Sequence, residues 1–265
     1  MQYKKIPLHE TDENIYLECY IPDIIGNYRR KAMLVIPGGG YHMVCSDREG
    51  EPIAQAFIPH GFAAFVLHYS VGQKRPFPAQ LIEATKAIVH IKDHAEEYGI
   101  DPEQVFTVGF SAGGHLACST GTLWKHPAVY EALNIPYGYN KPKGMILLYP
   151  VINGHYPSFQ NLFCTQQPTE EQLKQGYLEL HVDEDTVPAF IMHTANDQLV
   201  PVSNSLSFAK AMSDKNIPFE MHIYPDAPHG VALGNAITAG KLDKHNNPAI
   251  AQWINHAATW AENVE

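Results

Sequence analysis

Five short, almost uninterrupted apolar runs constrain this chain more than any other feature: residues 32–36, 63–67, 105–108, 145–149 and 189–193. Each is too short for an ordinary helix and apolar at successive positions, which suits strands covered by helices on both faces. Residues 14–21 alternate instead, as a strand with one wet face does. Between the runs lie helical patterns. Pro78 opens a stretch in which Leu81, Ala84, Ile88, Ile91, Ala95 and Tyr98 recur at three- or four-residue steps until Gly99 stops it. Asn247 and Pro248 open another, with Ile250, Trp253, Ile254 and Ala257 on one face. Strands alternating with helices predict right-handed crossovers and an α/β fold: a mostly parallel, doubly wound sheet flanked by helices, with ligands beyond the carboxyl ends of the strands. The rhythm breaks at about residues 152–187, a Gln-, Glu- and aromatic-rich stretch that reads as a small cap insertion over one end of the sheet. With no internal repeat and no Gly/Ser linker, residues 1–265 read as a single domain.

Charge removes several functions. Twenty-eight acidic residues against 18 basic ones give a formal net charge of −10. The short clusters Arg29-Arg30-Lys31 and Lys141-Pro142-Lys143 are too small to track phosphates, so no nucleic-acid partner is expected. No segment approaches the roughly 18 apolar residues that span a bilayer, so no membrane partner is expected either. Cys19, Cys45, Cys118 and Cys164 are scattered without metal-ligand spacing and read as free thiols. The lysines Lys4 and Lys5 are not followed by an apolar leader, which points to a cytoplasmic protein. A homo-oligomer is left open.

The chemistry concentrates after the strand at 105–108, where Gly109-Phe110-Ser111-Ala112-Gly113 precedes a helical pattern. A strand, GxSxG and a helix in that order form a nucleophile elbow, whose tight turn exposes the serine oxygen. A second glycine turn, Pro37-Gly38-Gly39-Gly40-Tyr41, follows the strand at 32–36. Its backbone N–H groups can meet a developing oxyanion, and Gly39 and Gly40 are the expected donors together with Ala112. A serine needs a base and the base an orienting carboxylate, each on a loop at the carboxyl end of a strand. The strand at 189–193 runs into Asp197, and that at 219–224 runs into His229, giving the order Ser, Asp, His. Asp226 shares the histidine's loop and reads as turn-shaping, while Asp183, Glu184 and Asp185 precede their strand and lie at its wrong end. His115, one turn into the helix after Ser111, reads as a packing and hydrogen-bonding residue. His90 and His94 read as a solvated helix face, because no third metal ligand accompanies them. No metal site and no cofactor are expected.

With these residues the chain resembles the α/β-hydrolase superfamily and, within it, the small esterases related to the hormone-sensitive-lipase group and to acetyl xylan esterases. Phe77-Pro78-Ala79-Gln80-Leu81 is similar to the segment that leads to the family's first sheet-covering helix, and Asp197-Gln198-Leu199-Val200-Pro201 to its acid loop. Lipase-type members usually carry His before the three glycines; Pro37 stands here, which is more like the carbohydrate esterases that take small acyl groups on sugars. The resemblance implies a serine carboxylic ester hydrolase acting on a small-molecule ester, short-chain and above all acetyl, with Tyr41 and insertion side chains shaping the acyl pocket. An amide hydrolase of the arylformamidase kind or a peptidase of the prolyl-oligopeptidase kind is the alternative.

Overall fold

The apolar runs form the middle of one eight-stranded sheet in a computed structural model that describes residues 1–264. The strands are β1 (Gln2–Pro7), β2 (Tyr16–Ile21), β3 (Arg30–Ile36), β4 (Phe62–His68), β5 (Ile100–Phe110), β6 (Gly144–Leu148), β7 (Ala189–Thr194) and β8 (Phe219–Tyr224). They lie in the order β1-β2-β4-β3-β5-β6-β7-β8. β2 is antiparallel to both neighbours, and every pairing from β4 across to β8 is parallel. The principal helices are α1 (Glu51–Phe57), α2 (Ala79–Asp93), α3 (Ser111–Thr122), α4 (Pro127–Leu133), α5 (Tyr156–Leu162), α6 (Glu170–Gly176), α7 (Ser203–Asp214) and α8 (Trp253–Asn263).

Successive side chains of a strand point to opposite faces, and here both faces are dry. Ala32, Leu34 and Ile36 of β3 join one core with Ala84 and Ile88 of α2, Leu116 of α3 and Phe208 of α7. Met33 and Val35 join the other, with Ile53 and Phe57 of α1 and Trp253 and Trp260 of α8. The insertion is packed onto the first core through Phe159, Leu162, Phe163 and Leu178. No helix among the described residues is long and apolar enough to cross a membrane.

Three local features depart from the sequence pattern. β1 was not foreseen, because Gln2, Lys4 and Lys5 carry no apolar alternation; it is an exposed edge strand held by its pairing to β2. The helix from Pro78 stops at Asp93 and resumes only at Ala95–Tyr98. At the break the His94 side chain bonds the His90 carbonyl at 2.9 Å, which also keeps its bond from the His94 N–H at 3.1 Å. The last helix starts at Trp253, after a 3-10 turn at Ile250–Gln252 whose entry is capped by Asn247, which accepts from the N–H groups of Ala249 and Ile250.

Register brings the two glycine turns together. Ile36 pairs with Gly109, so the turn after β3 and the elbow after β5 leave the sheet side by side. A Cβ added at Gly113 would lie 2.2 Å from the Ile36 carbonyl oxygen and 2.3 Å from that of Pro37. Glycine to alanine inside a helix ordinarily stabilises by about 1 kcal/mol. Here the clash is with backbone, which no rotamer relieves, so Gly113→Ala is expected to destabilise by about 3 kcal/mol or more. A urea midpoint that rises in this variant would contradict the packing.

Candidate active site

Ser111 follows the last residue of β5 and opens α3 with φ at +53°, a left-handed conformation that an L-residue occupies only under constraint. The constraint is close packing: a Cβ at Gly38 would stand 2.6 Å from the Phe110 carbonyl oxygen and 3.0 Å from Ser111 Cβ. The serine oxygen is thereby turned toward the loops after β7 and β8. Ser111 Oγ lies 2.8 Å from His229 Nε2, and His229 Nδ1 lies 2.6 Å from Asp197 Oδ2. An ionised Asp197 only accepts, so Nδ1 carries the proton and Nε2 is free to accept one from Ser111.

Asp197 is 5% exposed and well supplied with donors. Its Oδ1 accepts from the N–H groups of Leu199 and Val200, both at 2.9 Å. His193 Nε2 stands 3.5 Å from Oδ2 while bonding the Val200 carbonyl at 2.9 Å. Burial alone would raise the carboxyl's pKa; the bonds from His193, His229 and Val200 overcome it and hold the group well below the usual carboxylate range. The two loops are also latched to each other. Asn196 donates to Asp226 and accepts from the Ala227 N–H, and the Thr194 hydroxyl donates to the Ala227 carbonyl at 3.0 Å. Asp226 thus shapes the turn, and among the described residues it forms no hydrogen bond or ion pair with His229.

The glycine turn divides its N–H groups. Gly38 donates to Glu49 Oε2 at 2.8 Å, whereas those of Gly39, Gly40 and Ala112 have no hydrogen-bond acceptor among the described residues. The Gly40 carbonyl is fixed from the insertion, accepting from Asn161 Nδ2 at 2.9 Å. Three donors therefore remain at the end of the sheet where Ser111 stands.

Tyr41 requires a correction. Expected to line the acyl pocket, its side chain is instead 1% exposed and points into the first core. Its hydroxyl donates to His115 Nδ1 at 2.7 Å, and His115 Nε2 donates to the Gly176 carbonyl at 2.7 Å. A tyrosine after a glycine turn gives no hint in sequence of which way its φ of +57° will throw the ring. His90 and His94 lie on a half-exposed helix face, where their rings stack at 4.0 Å and His90 Nε2 meets the Tyr98 hydroxyl at 2.9 Å. The described residues hold no cluster of three or more His, Cys, Asp or Glu side chains placed to hold a metal ion.

Two residues near the site escaped the sequence reading. Glu49, in the turn Ser46–Glu49, reaches the glycine turn from behind. His155, at the start of α5, bonds Ser158 Oγ at 2.8 Å, and a Cβ at Gly40 would lie 3.8 Å from the same oxygen. Only a tertiary map reveals either. Asp183 and Asp185 of the insertion lie away from the site, pairing with Lys125 beyond the last turn of α3, itself about 18 Å long.

Comparison with known proteins follows this geometry. A family model described as BD-FAE matches residues 17–143, and one described as the prolyl oligopeptidase family matches residues 83–254. The chain is 37% identical over 229 residues to endo-1,4-beta-xylanase B of Butyrivibrio fibrisolvens, covering 82% of this chain and 35% of that protein. It is 30% identical over 244 residues to an acetylxylan esterase of Xylanibacter ruminicola, covering 87% of this chain and 47% of that protein. The chain thus spans less than half the length of these two curated relatives. An acetyl ester-xyloside bifunctional hydrolase from Caldicellulosiruptor lactoaceticus superposes with a TM-score of 0.82 at 31% identity, over 98% of this chain and 96% of that one.

The buried tether through His115 gives a pH prediction. Burial pushes this imidazole down from 6.5 to about 4. A base with a depressed folded-state pKa leaves the unfolded chain holding more protons between those values, so stability is full above about 6.5 and falls as pH drops toward 4. The slope from this group is up to about 1.4 kcal/mol per pH unit. His90, pushed down to about 4 as well, adds to the same window. His115→Asn should flatten the dependence of urea-unfolding free energy on pH by about one proton; an unchanged slope would refute a neutral His115.

Proposed function

Since the chain belongs to the α/β-hydrolase superfamily, in the branch that holds the small esterases and acetylxylan esterases, we propose that it is a serine esterase that hydrolyses short-chain acyl esters, acetyl above all, of acylated sugars such as xylo-oligosaccharides. The observation that carries this reading is the hydrogen-bonded relay from Ser111 through His229 to Asp197, together with N–H groups of the glycine turn and the elbow that have no acceptor among the described residues.

Ser111 Oγ attacks the ester carbonyl as His229 Nε2 takes its proton, and Asp197 stabilises the imidazolium that forms. The carbonyl oxygen, now an anion, is held by the N–H groups of Gly39, Gly40 and Ala112, which are oriented before the reaction and so need no reorganisation. His229 returns the proton to the leaving alcohol. It then deprotonates a water that attacks the acyl-enzyme, and the tetrahedral species collapses to free acid and the original serine. Each step uses groups of the chain and water.

Support for a sugar-like alcohol comes from the acetylxylan esterase and acetyl ester-xyloside hydrolase relatives and from the insertion. His155 lies within charge-interaction range of His229 and Asp197, and burial holds its pKa below the ordinary value. A neutral imidazole fixed by Ser158 suits a hydroxyl-bearing leaving group better than a lipid chain. The match to the prolyl oligopeptidase family over residues 83–254 favours a second reading, amide or peptide hydrolysis by the same relay.

A panel of p-nitrophenyl esters of rising chain length, run beside acetylated xylo-oligosaccharides and an aminoacyl arylamide, separates the two. Turnover that peaks at acetate and collapses by butyrate, with acetate released from the oligosaccharide, is expected; preference for the arylamide would replace the ester reading. The acid assignment has its own test. Asp197→Asn should lower kcat on p-nitrophenyl acetate by about 10⁴, the loss that follows from fixing the wrong imidazole tautomer. Asp226→Asn should stay within about tenfold of wild type, since one surface hydrogen bond is at stake. A reversal of that ranking would move the acid to position 226.

A further inference from the structure

Behind the nucleophile lies a carboxylate that the proposed steps do not use. Glu49 is 3% exposed, and both of its oxygens meet donors: Gly38 N–H at 2.8 Å on Oε2 and the Tyr149 hydroxyl at 2.9 Å on Oε1. The Tyr149 oxygen in turn accepts from the Ala232 N–H at 3.0 Å, so its own proton is committed to Glu49. The Tyr149 ring stands edge-on to the His229 imidazole, with centroids 4.9 Å apart and planes at 68°. Tyr149 and Ala232 both hold positive φ, +38° and +49°, as Ser111 does at +53°. Strained residues of this kind persist only where their surroundings over-determine them, and they gather at functional sites.

We propose that Glu49 is a positioning residue: it ties the Gly38 end of the oxyanion turn to Tyr149, and through Tyr149 and Ala232 to the loop that carries His229, so that donors and base keep one register. A buried carboxylate is an expensive tie. Burial raises its pKa, and the bonds from Gly38 and Tyr149 pull it back toward ionisation. A neutral amide cannot replace it, because both facing groups are donors and glutamine would set its own NH₂ against one of them. The link also passes directly behind the serine, since a Cβ at Gly38 would lie 2.9 Å from Glu49 Oε2 and 3.0 Å from Ser111 Cβ. The inference rests on the proposed role of Ser111 as nucleophile.

The test is a double-mutant cycle on p-nitrophenyl acetate with Glu49→Gln, Tyr149→Phe and the pair together. Glu49→Gln should lose kcat tenfold or more, toward the roughly hundredfold that an ångström-scale misplacement causes, while KM stays within about threefold. Tyr149→Phe should lose kcat in the same direction, and the double variant should fall no further than Glu49→Gln, because both cut one link. Unchanged kcat in folded variants, a change confined to KM, or losses that multiply would overturn the proposal. If Glu49→Gln does not fold, Tyr149→Phe alone decides, and wild-type kcat there overturns it. A fluorophosphonate probe separates this failure from a deeper one. Label on Ser111 of the wild type with unaltered kcat in the variants defeats the role of Glu49 alone, whereas a wild type that hydrolyses the ester but takes no label on Ser111 defeats the nucleophile and this inference with it.

Discussion

Two backbones meet at the head of the sheet, and the site depends on how closely they do so. The Ile36–Gly109 pairing sets the turn after β3 against the elbow after β5, and Gly113 lets the carbonyls of Ile36 and Pro37 approach to a distance that any side chain would forbid. Beside that approach Ser111 holds its left-handed conformation, and the N–H groups of Gly39, Gly40 and Ala112 have no acceptor among the described residues. Catalytic power in such an arrangement comes from dipoles already aimed when charge develops, so the rigidity of the glycine turns matters as much as the identity of the serine. The cores on both faces of the sheet supply the rigidity, closed by α2, α3 and α7 on one side and α1 and α8 on the other.

Buried polar chains carry that rigidity outward to the loops. Asp197 is fixed by backbone donors and presents one oxygen to His229; Tyr41, His115 and Gly176 join the glycine turn to the elbow helix and the insertion; Asn161 holds the Gly40 carbonyl. Each chain has its donors matched to acceptors, which is the condition under which buried polar groups specify a geometry instead of weakening it. The insertion is for this reason better described as part of the wall than as a loose lid: Phe159, Leu162 and Phe163 are packed, and Asn161 anchors it to the glycine turn.

What the sequence made legible was whatever local pattern controls. Continuous apolar runs marked the parallel strands β3 to β7, and because Ser111 and Asp197 follow the carboxyl ends of two of these and His229 that of β8, their meeting could be expected from order alone. β1 was missed because pairing, not hydrophobic alternation, makes it a strand. The break at His94 interrupts a stretch whose apolar period runs on to Tyr98, so periodicity does not register it. Tyr41, Glu49 and His155 were misplaced or overlooked for one reason: their partners are His115, Tyr149 and the neighbourhood of His229, distant in the chain and brought near only by the crossovers.

The central claim is that Ser111 becomes covalently acylated. Rapid acid quenching of the protein during turnover of p-nitrophenyl acetate, followed by peptide mass spectrometry, tests it most directly. One acetyl group on the peptide containing Ser111, appearing before steady state and absent from Ser111→Ala, is the predicted result. Steady hydrolysis with no acetyl on that peptide, or with the acetyl on another residue, would contradict the account.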